Sequence, residues 1–285
     1  MKRLLIGALA TLIAVGATAT LAGQSEDLKA LKNYMQKRFP NVAYMDFANG
    51  SYALDAAKAT QWESQRDFPP FLDHLDVGEK IWNTPFANGK GFGDCFGSDP
   101  SQVRVKYPRW NADTKTVETL EGQIVACQKA NGEKPLKTKK GKIAYLSAWL
   151  AGQANGQKIN VVVPQDDPDA VAAYEAGRKF FYTKRGQLNM SCADCHVYNS
   201  GMQARGNLLS PVIGQVTHFP VWRGKWARAT GGKDGFGTLQ RRYDGCNKQV
   251  RAKPFKNLGV EYNNLEYFHQ SMSNGQTINA PDYRE

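Results

Sequence analysis

Cys192-Ala193-Asp194-Cys195-His196 sets two thiols about one helical turn apart and an imidazole directly after the second. That order is the attachment run of a c-type haem, in which both thiols form thioethers to the ring and the imidazole takes an axial position on iron. A thioredoxin-like pair requires a βαβ setting, and a structural zinc site requires further ligands close by; this stretch supplies neither. The motif constrains the fold more than any other feature, because the chain around it must wrap helices about a large, flat, mostly apolar cofactor. The implied cofactor is haem c.

The beginning of the chain strengthens so short a motif. Leu4 to Ala22 is an apolar run of 19 residues behind Lys2 and Arg3, rich in Ala, Thr and Gly. It reads as a signal peptide over residues 1–22, cut after Ala19 or Ala22, with an uncleaved anchor as the alternative. Export to the periplasm follows, an oxidising compartment in which thioethers and disulfides can form. Lys+Arg number 37 against 26 Asp+Glu, a formal +11 that falls to +9 without Lys2 and Arg3. A basic exported protein meets anionic small molecules or acidic protein faces; no nucleic-acid motif is present, and no membrane contact is expected once the leader is gone. With 41% hydrophobic and 11% aromatic residues among 285, the chain can fill the cores of two compact domains.

Helix signals flank the motif. Asp167-Pro168-Asp169 is a helix start, followed by Val171, Tyr174 and Phe181 at near-helical spacing. Gly177, four residues before Phe181, suits a close crossing of the first and last helices, as in c-type cytochromes. The last helix is read from Asn264 as its cap through Leu265, Phe268 and Met272 to a stop near Gly275. The same signals recur upstream. Gly78-x-x-x-Trp82 precedes Cys95 as Gly177-x-x-x-Phe181 precedes the motif, at an offset of 99. An ungapped offset of 119 aligns Cys127 with Cys246, and Leu146 and Trp149 with Leu265 and Phe268. It also aligns Asn155-Gly156-Gln157 and Ile159-Asn160 with Asn274-Gly275-Gln276 and Ile278-Asn279. The predicted fold is mainly α, with two tandem cytochrome c-like domains. Residues 23–164 form the one without haem, since Cys95-Phe96-Gly97-Ser98-Asp99 stands where the attachment run should be. Residues 165–285 form the haem-binding one.

Five cysteines make an odd set, and two belong to the haem. Cys95 lies close to the expected thioether positions and Cys127 is the repeat partner of Cys246. A Cys95–Cys127 disulfide across the emptied pocket is one reading, and two buried free thiols the other. Cys246 remains, in Arg241 to Lys253, a stretch with five basic residues against one acid. A thiol among cations is held toward thiolate, which is a nucleophile and a haem-iron ligand; the alternative is an inert cysteine on a solvated loop. Met272 competes for the iron, but it shares an apolar stripe with Leu265 and Phe268 that suits core packing. Met190 and Met202 lie too near the motif. His218 and His269 read as surface or hydrogen-bonded histidines, and His74 as structural.

On these residues the chain resembles the SoxA family of sulfur-oxidation cytochromes, which work with the cytochrome SoxX and the carrier protein SoxYZ. The resemblance is carried by the attachment run, Ser210-Pro211-Val212-Ile213-Gly214, Thr217-His218-Phe219-Pro220, Gln240-Arg241-Arg242 to Cys246, and Leu265-Glu266-Tyr267-Phe268 to Gly275. It runs from about Phe47 to the C-terminus and is strongest after Gly177. It implies an L-cysteine S-thiosulfotransferase that conjugates thiosulfate to a carrier cysteine. It further implies haem c bound covalently through Cys192 and Cys195, with His196 and Cys246 as axial ligands. Cys246 is then the catalytic, persulfide-bearing residue and Arg242 the substrate-binding one. Some relatives hold a second haem in the first half; the departure at Cys95 to Asp99 marks a chain with one. Which of Lys248, Arg251 and Lys253 points into the pocket is left open by the sequence. A plain electron carrier with Met272 on iron, and a dehydrogenase that joins two thiosulfates into tetrathionate, are the competing activities.

Overall fold

A computed structural model describes residues 23–284; the leader reading over 1–22 lies outside them. In the first half α1 (Gln24–Arg38) is followed by 3-10 turns over Tyr44–Leu54, then α2 (Ala56–Asp67), α3 (Leu72–Asn83) and the short α4 (Phe92–Phe96). A hairpin of β1 (Arg109–Asn111) and β2 (Thr116–Glu118) precedes α5 (Leu120–Ala130) and α6 (Lys142–Gln153). The second half opens with α7 (Pro168–Tyr182), a π-helical turn over Asp194–Tyr198, and a hairpin of β3 (Gln203–Ala204) and β4 (Asn207–Leu208). After β5 (Val221–Arg223), α8 (Gly224–Arg228) and β6 (Phe236–Gly237) come α9 (Leu239–Gln249), α10 (Val260–Ser271) and β7 (Asp282–Arg284). The small sheet runs β6-β5-β7, with β5 antiparallel to β6 and parallel to β7. The fold is mainly α, as the periodicity predicts. No helix among the described residues is long and apolar enough to cross a membrane.

Local chemistry starts α7 where the sequence reading has it: the Asp167 carboxylate accepts from the Asp169 and Ala170 amides, and Pro168 occupies the first turn. For α10 the reading is corrected. Its N-cap is Gly259, and Asn264 lies inside the helix. Asn favours caps locally, but burial of Tyr262 on the stripe of Leu265 and Phe268 outweighs that preference and winds the helix one turn further upstream. The two helix pairs cross closely at their glycines: a Cβ on Gly177 would collide with the Asn264 carbonyl, and one on Gly78 with the Tyr145 carbonyl.

The internal repeat has a spatial counterpart. An offset of 119 carries α6 onto 261–272, one position from α10. The turns that follow these helices pair antiparallel across Lys158 and Thr277, themselves 119 apart. Gly156 N donates to Ile278 O at 3.0 Å, and its repeat equivalent Gly275 N donates to Ile159 O at 2.9 Å. Ile159 N to Gln276 O and Ile278 N to Gln157 O, both 2.9 Å, are exchanged in the same way. So are Ala280 N to Asn155 Oδ1 (2.7 Å) and Val161 N to Asn274 Oδ1 (2.8 Å). The segment binds its own repeat around a local two-fold axis, the arrangement of an isologous interface within one chain.

Aromatic residues Trp82, Phe86, Phe92 and Phe96 fill one core with Ile124, Leu146 and Leu150. Beside it a Cys95–Cys127 disulfide joins α4 to α5, resolving the two alternatives left by the sequence. A larger core gathers Tyr174, Phe181, Val197, Tyr243, Tyr262, Leu265, Phe268 and Met272, together with Leu31 and Met35 of α1. Tyr174 OH donates to Asp27 Oδ2 at 2.8 Å and Arg178 meets the same carboxylate at 3.0 Å, so α1 packs on the second half although it precedes the first.

Candidate haem and thiolate site

The attachment run is held by a reciprocal cap. Ser191 donates its amide and hydroxyl to Asp194 Oδ2 at 2.7 and 2.8 Å, and the Asp194 amide donates back to Ser191 Oγ at 3.0 Å. This starts the turn that presents Cys192, Cys195 and His196. His196 is then fixed by the loop after β4: its Nδ1 lies 2.9 Å from Ser210 O, and its carbonyl accepts from Val212 N at 2.9 Å. With Nδ1 engaged, Nε2 is the nitrogen left to face outward from that loop.

Opposite stands α9. The Thr238 hydroxyl caps it, and Leu239, Tyr243 and Asn247 recur every fourth residue on the buried face. Asn247 Nδ2 donates to Tyr243 O at 3.0 Å and to Tyr262 OH at 3.1 Å, and Lys139 pairs with Asp244 at 2.5 Å. These contacts set the rotation of the helix, and Arg242 and Cys246, four apart, then share the adjoining face. The half-buried Cys246 thiol lies beside His196. Burial pushes this thiol up, but Arg242, the His196 contact and Arg223 together outweigh it and bring it down to about 7. Cys192 is pushed up to about 12 by burial and the nearby Cys246, and Cys195 is raised by the same two causes. Of the three cysteines, Cys246 is the one whose surroundings favour the thiolate.

Two observations test whether these residues fit haem c. An imidazole and a thiol face each other beside two further cysteines at thioether spacing. The donor pair therefore suits an iron whose other positions a porphyrin fills. Arg185 adds an orphaned group. Its guanidinium lies 3.6 Å over the Phe180 ring and donates to Phe180 O at 2.9 Å, while Nη1 is buried beside Cys192 with no hydrogen-bond partner. A haem carboxylate is the kind of anion that would satisfy it. The residues fit.

The other candidates lie elsewhere. Met272 is 1% exposed in the core, Met202 is exposed, and the Met190 carbonyl accepts from the Arg185 amide. His218 is buried against Ala48 O and Asn279 O, where burial and the Arg284 charge keep it neutral. His74 packs among Tyr145, Trp222 and Phe236. Lys248, Arg251 and Lys253 are exposed, and Arg251 turns to Gln187. The second cation at Cys246 is instead Arg223 on β5, whose guanidinium lies 5.4 Å from the Trp226 ring, with Arg241 over the same indole at 4.2 Å. Nothing local in Val221-Trp222-Arg223 marks it, because the sheet alone brings it to α9.

Comparison with known proteins identifies the family. Residues 77–159, a span without an attachment run, match the family model for the SoxA/TsdA cytochrome c domain. The L-cysteine S-thiosulfotransferase subunit SoxA of Allochromatium vinosum is 46% identical over 282 residues, covering 97% of this chain and 98% of that one. The likeness therefore reaches well upstream of Phe47. The corresponding subunit of Chlorobaculum thiosulfatiphilum is 46% identical over 259 residues, covering 91% and 87%. In the crystal structure of SoxXA from P. pantotrophus, a chain 28% identical superposes with a TM-score of 0.68 over 78% of this chain and 84% of that chain. A relationship of this depth along nearly the whole sequence means that the chain belongs to the SoxA family.

Proposed function

We propose that the protein is the catalytic subunit of a periplasmic L-cysteine S-thiosulfotransferase, which joins thiosulfate oxidatively to a cysteine of the SoxYZ carrier. The observation that carries this reading is the placement of the Cys246 thiol beside His196 of the attachment run, on the helix that bears Arg242 one turn earlier. Haem c, one per chain, would be held by Cys192, Cys195, His196 and Cys246, and would supply an electron acceptor that links the site to the partner cytochrome SoxX. Export through a leader over 1–22, a haem-less unit over 23–164 and a haem-binding unit over 165–285 complete the proposal. The paired repeat turns and the family match to 77–159 support that division.

The residues have separable tasks. Thiosulfate is a dianion, and each guanidinium about 5 Å away attracts it by roughly 2 kcal/mol at water's dielectric and about 7 at an effective value of 20, before desolvation. Arg242, helped by Arg223, holds the sulfonate and turns the terminal sulfur toward Cys246. Cys246 thiolate and that sulfur form an S–S bond, two electrons leave one at a time to two equivalents of oxidised cytochrome, and Cys246–S–S–SO3⁻ results. The carrier thiol gives up its proton to solvent and attacks the sulfur that bears the sulfonate. The bond to Cys246 breaks, the carrier keeps S–SO3⁻, and Cys246 leaves as thiolate. A persulfide on Cys246 belongs to the same sulfur chemistry.

An electron carrier with Met272 on iron is disfavoured by the burial of that side chain in the core. The deciding experiment incubates wild type and C246A with thiosulfate and oxidised SoxX, with and without SoxYZ. Wild type is expected to add S–SO3⁻ mass to the carrier. C246A is expected to add none while keeping covalent haem with altered visible and EPR spectra. Full turnover in C246A sinks the assignment, and tetrathionate formed without the carrier moves it to thiosulfate dehydrogenase.

A further inference from the structure

A hydrogen-bond chain behind His196 leads to the helix that carries Cys246. Gln215 Nε2 lies 2.7 Å from His196 Nδ1 and 2.7 Å from Ser210 Oγ. Gln215 Oε1 lies 3.0 Å from His269 Nε2, and His269 Nδ1 lies 3.0 Å from the hydroxyl of Tyr243 on α9. His269 and Tyr243 are each 6% exposed, while Gln215 and His196 are half-buried. Neither Gln215 nor His269 has a part in the chemistry described above.

The donor and acceptor pattern is informative. An imidazole that binds metal through Nε2 carries its proton on Nδ1 and donates it. An amide nitrogen facing that proton sets donor against donor. Exchanging the two ends of the Gln215 amide removes the conflict and leaves the heavy-atom positions in place. Oε1 then accepts from His196 Nδ1–H and from the Ser210 hydroxyl, and Nε2 donates to His269 Nε2. That selects the His269 tautomer whose Nδ1–H donates to Tyr243. Burial lowers His269, so it stays neutral as a fixed dipole.

We infer that Gln215 and His269 are positioning residues that set the donor strength of His196. Ser210 O alone would orient the ring. A second acceptor, itself polarised by His269, adds anionic character to the imidazole and favours the oxidised iron. This inference rests on the reading that His196 and Cys246 are the axial donors.

The test uses purified haem-loaded protein and reads the midpoint potential and the ferric EPR g-values. Q215L, which lacks the acceptor, is expected to shift the potential upward. Q215E, a stronger acceptor, is expected to shift it downward, with the g-values moving in opposite directions. H269L, which cuts the chain beyond Gln215 and leaves the His196 contacts intact, is expected to move upward by less than Q215L. Opposed shifts are an outcome that general loosening of the fold does not produce. Potentials equal to wild type, or Q215L and Q215E moving the same way, overturn the inference while a His/thiolate signature in wild type leaves the ligand reading standing. A wild type without that signature overturns both.

Discussion

Arg242 and Cys246 show how one helical turn couples a charge to a thiol. The i, i+4 spacing was legible once α9 was recognised, and so was the basic surrounding. The lowered thiol also depends on Arg223, which reaches the site from β5. If Arg242 binds the dianion, R242L removes at least the weaker Coulomb figure of roughly 2 kcal/mol, which is more than tenfold in affinity. KM for thiosulfate is expected to rise by about tenfold or more, and its salt dependence to flatten; steady-state kinetics across ionic strength check both. Level kinetics would remove Arg242 from the substrate site.

Helices and turns carry the next set of consequences. The local two-fold makes Asn155 and Asn274 equivalent, each accepting from a buried backbone amide of the other half, at Ala280 and Val161. N155A and N274A each strand one such donor, and each is expected to cost about 1–3 kcal/mol in urea unfolding. A much smaller loss in both would show that the exchanged bonds contribute little. On α10, Glu266 is raised by burial and then by nearby Glu121, against hydrogen bonds from Gln240 and Gln270 and the charge of buried Arg104. A carboxyl raised in the folded state contributes stability that is complete below the ordinary carboxylate range and is lost as pH rises through its folded-state pKa. Wild type is therefore expected to lose stability relative to E266Q over that rise. Parallel Tm-against-pH curves for the two proteins would contradict it.

In the molecule as a whole, the two halves of the internal repeat are filled differently. In the first, stacked Trp82 and Phe92 with Phe86 and Phe96 occupy the interior, and the disulfide closes a separation of 32 residues. Loop entropy assigns that closure about 3.7 kcal/mol. The double variant C95A/C127A is expected to unfold at lower urea by up to that amount while the spectrum of the haem half is unchanged. A change in the haem spectrum would mean that the two halves are coupled more tightly than their separate cores suggest. The second half keeps its attachment run, its paired donors and a cationic approach on a chain of formal charge +11.

Helix starts, apolar stripes, the repeat and the haem run could all be read before folding, because each depends on neighbours within a turn or two of chain, where bond geometry dictates spacing. Asn264 failed as a cap for the complementary reason: burial of Tyr262, a long-range effect, outbid a local preference. Arg223, Arg185, the Gln215 and His269 chain, the choice of disulfide over free thiols, and the docking of α1 on the second half all required the folded chain. Each unites segments distant in sequence, and spacing along a chain carries no record of which distant side chains its packing will bring within a few ångströms.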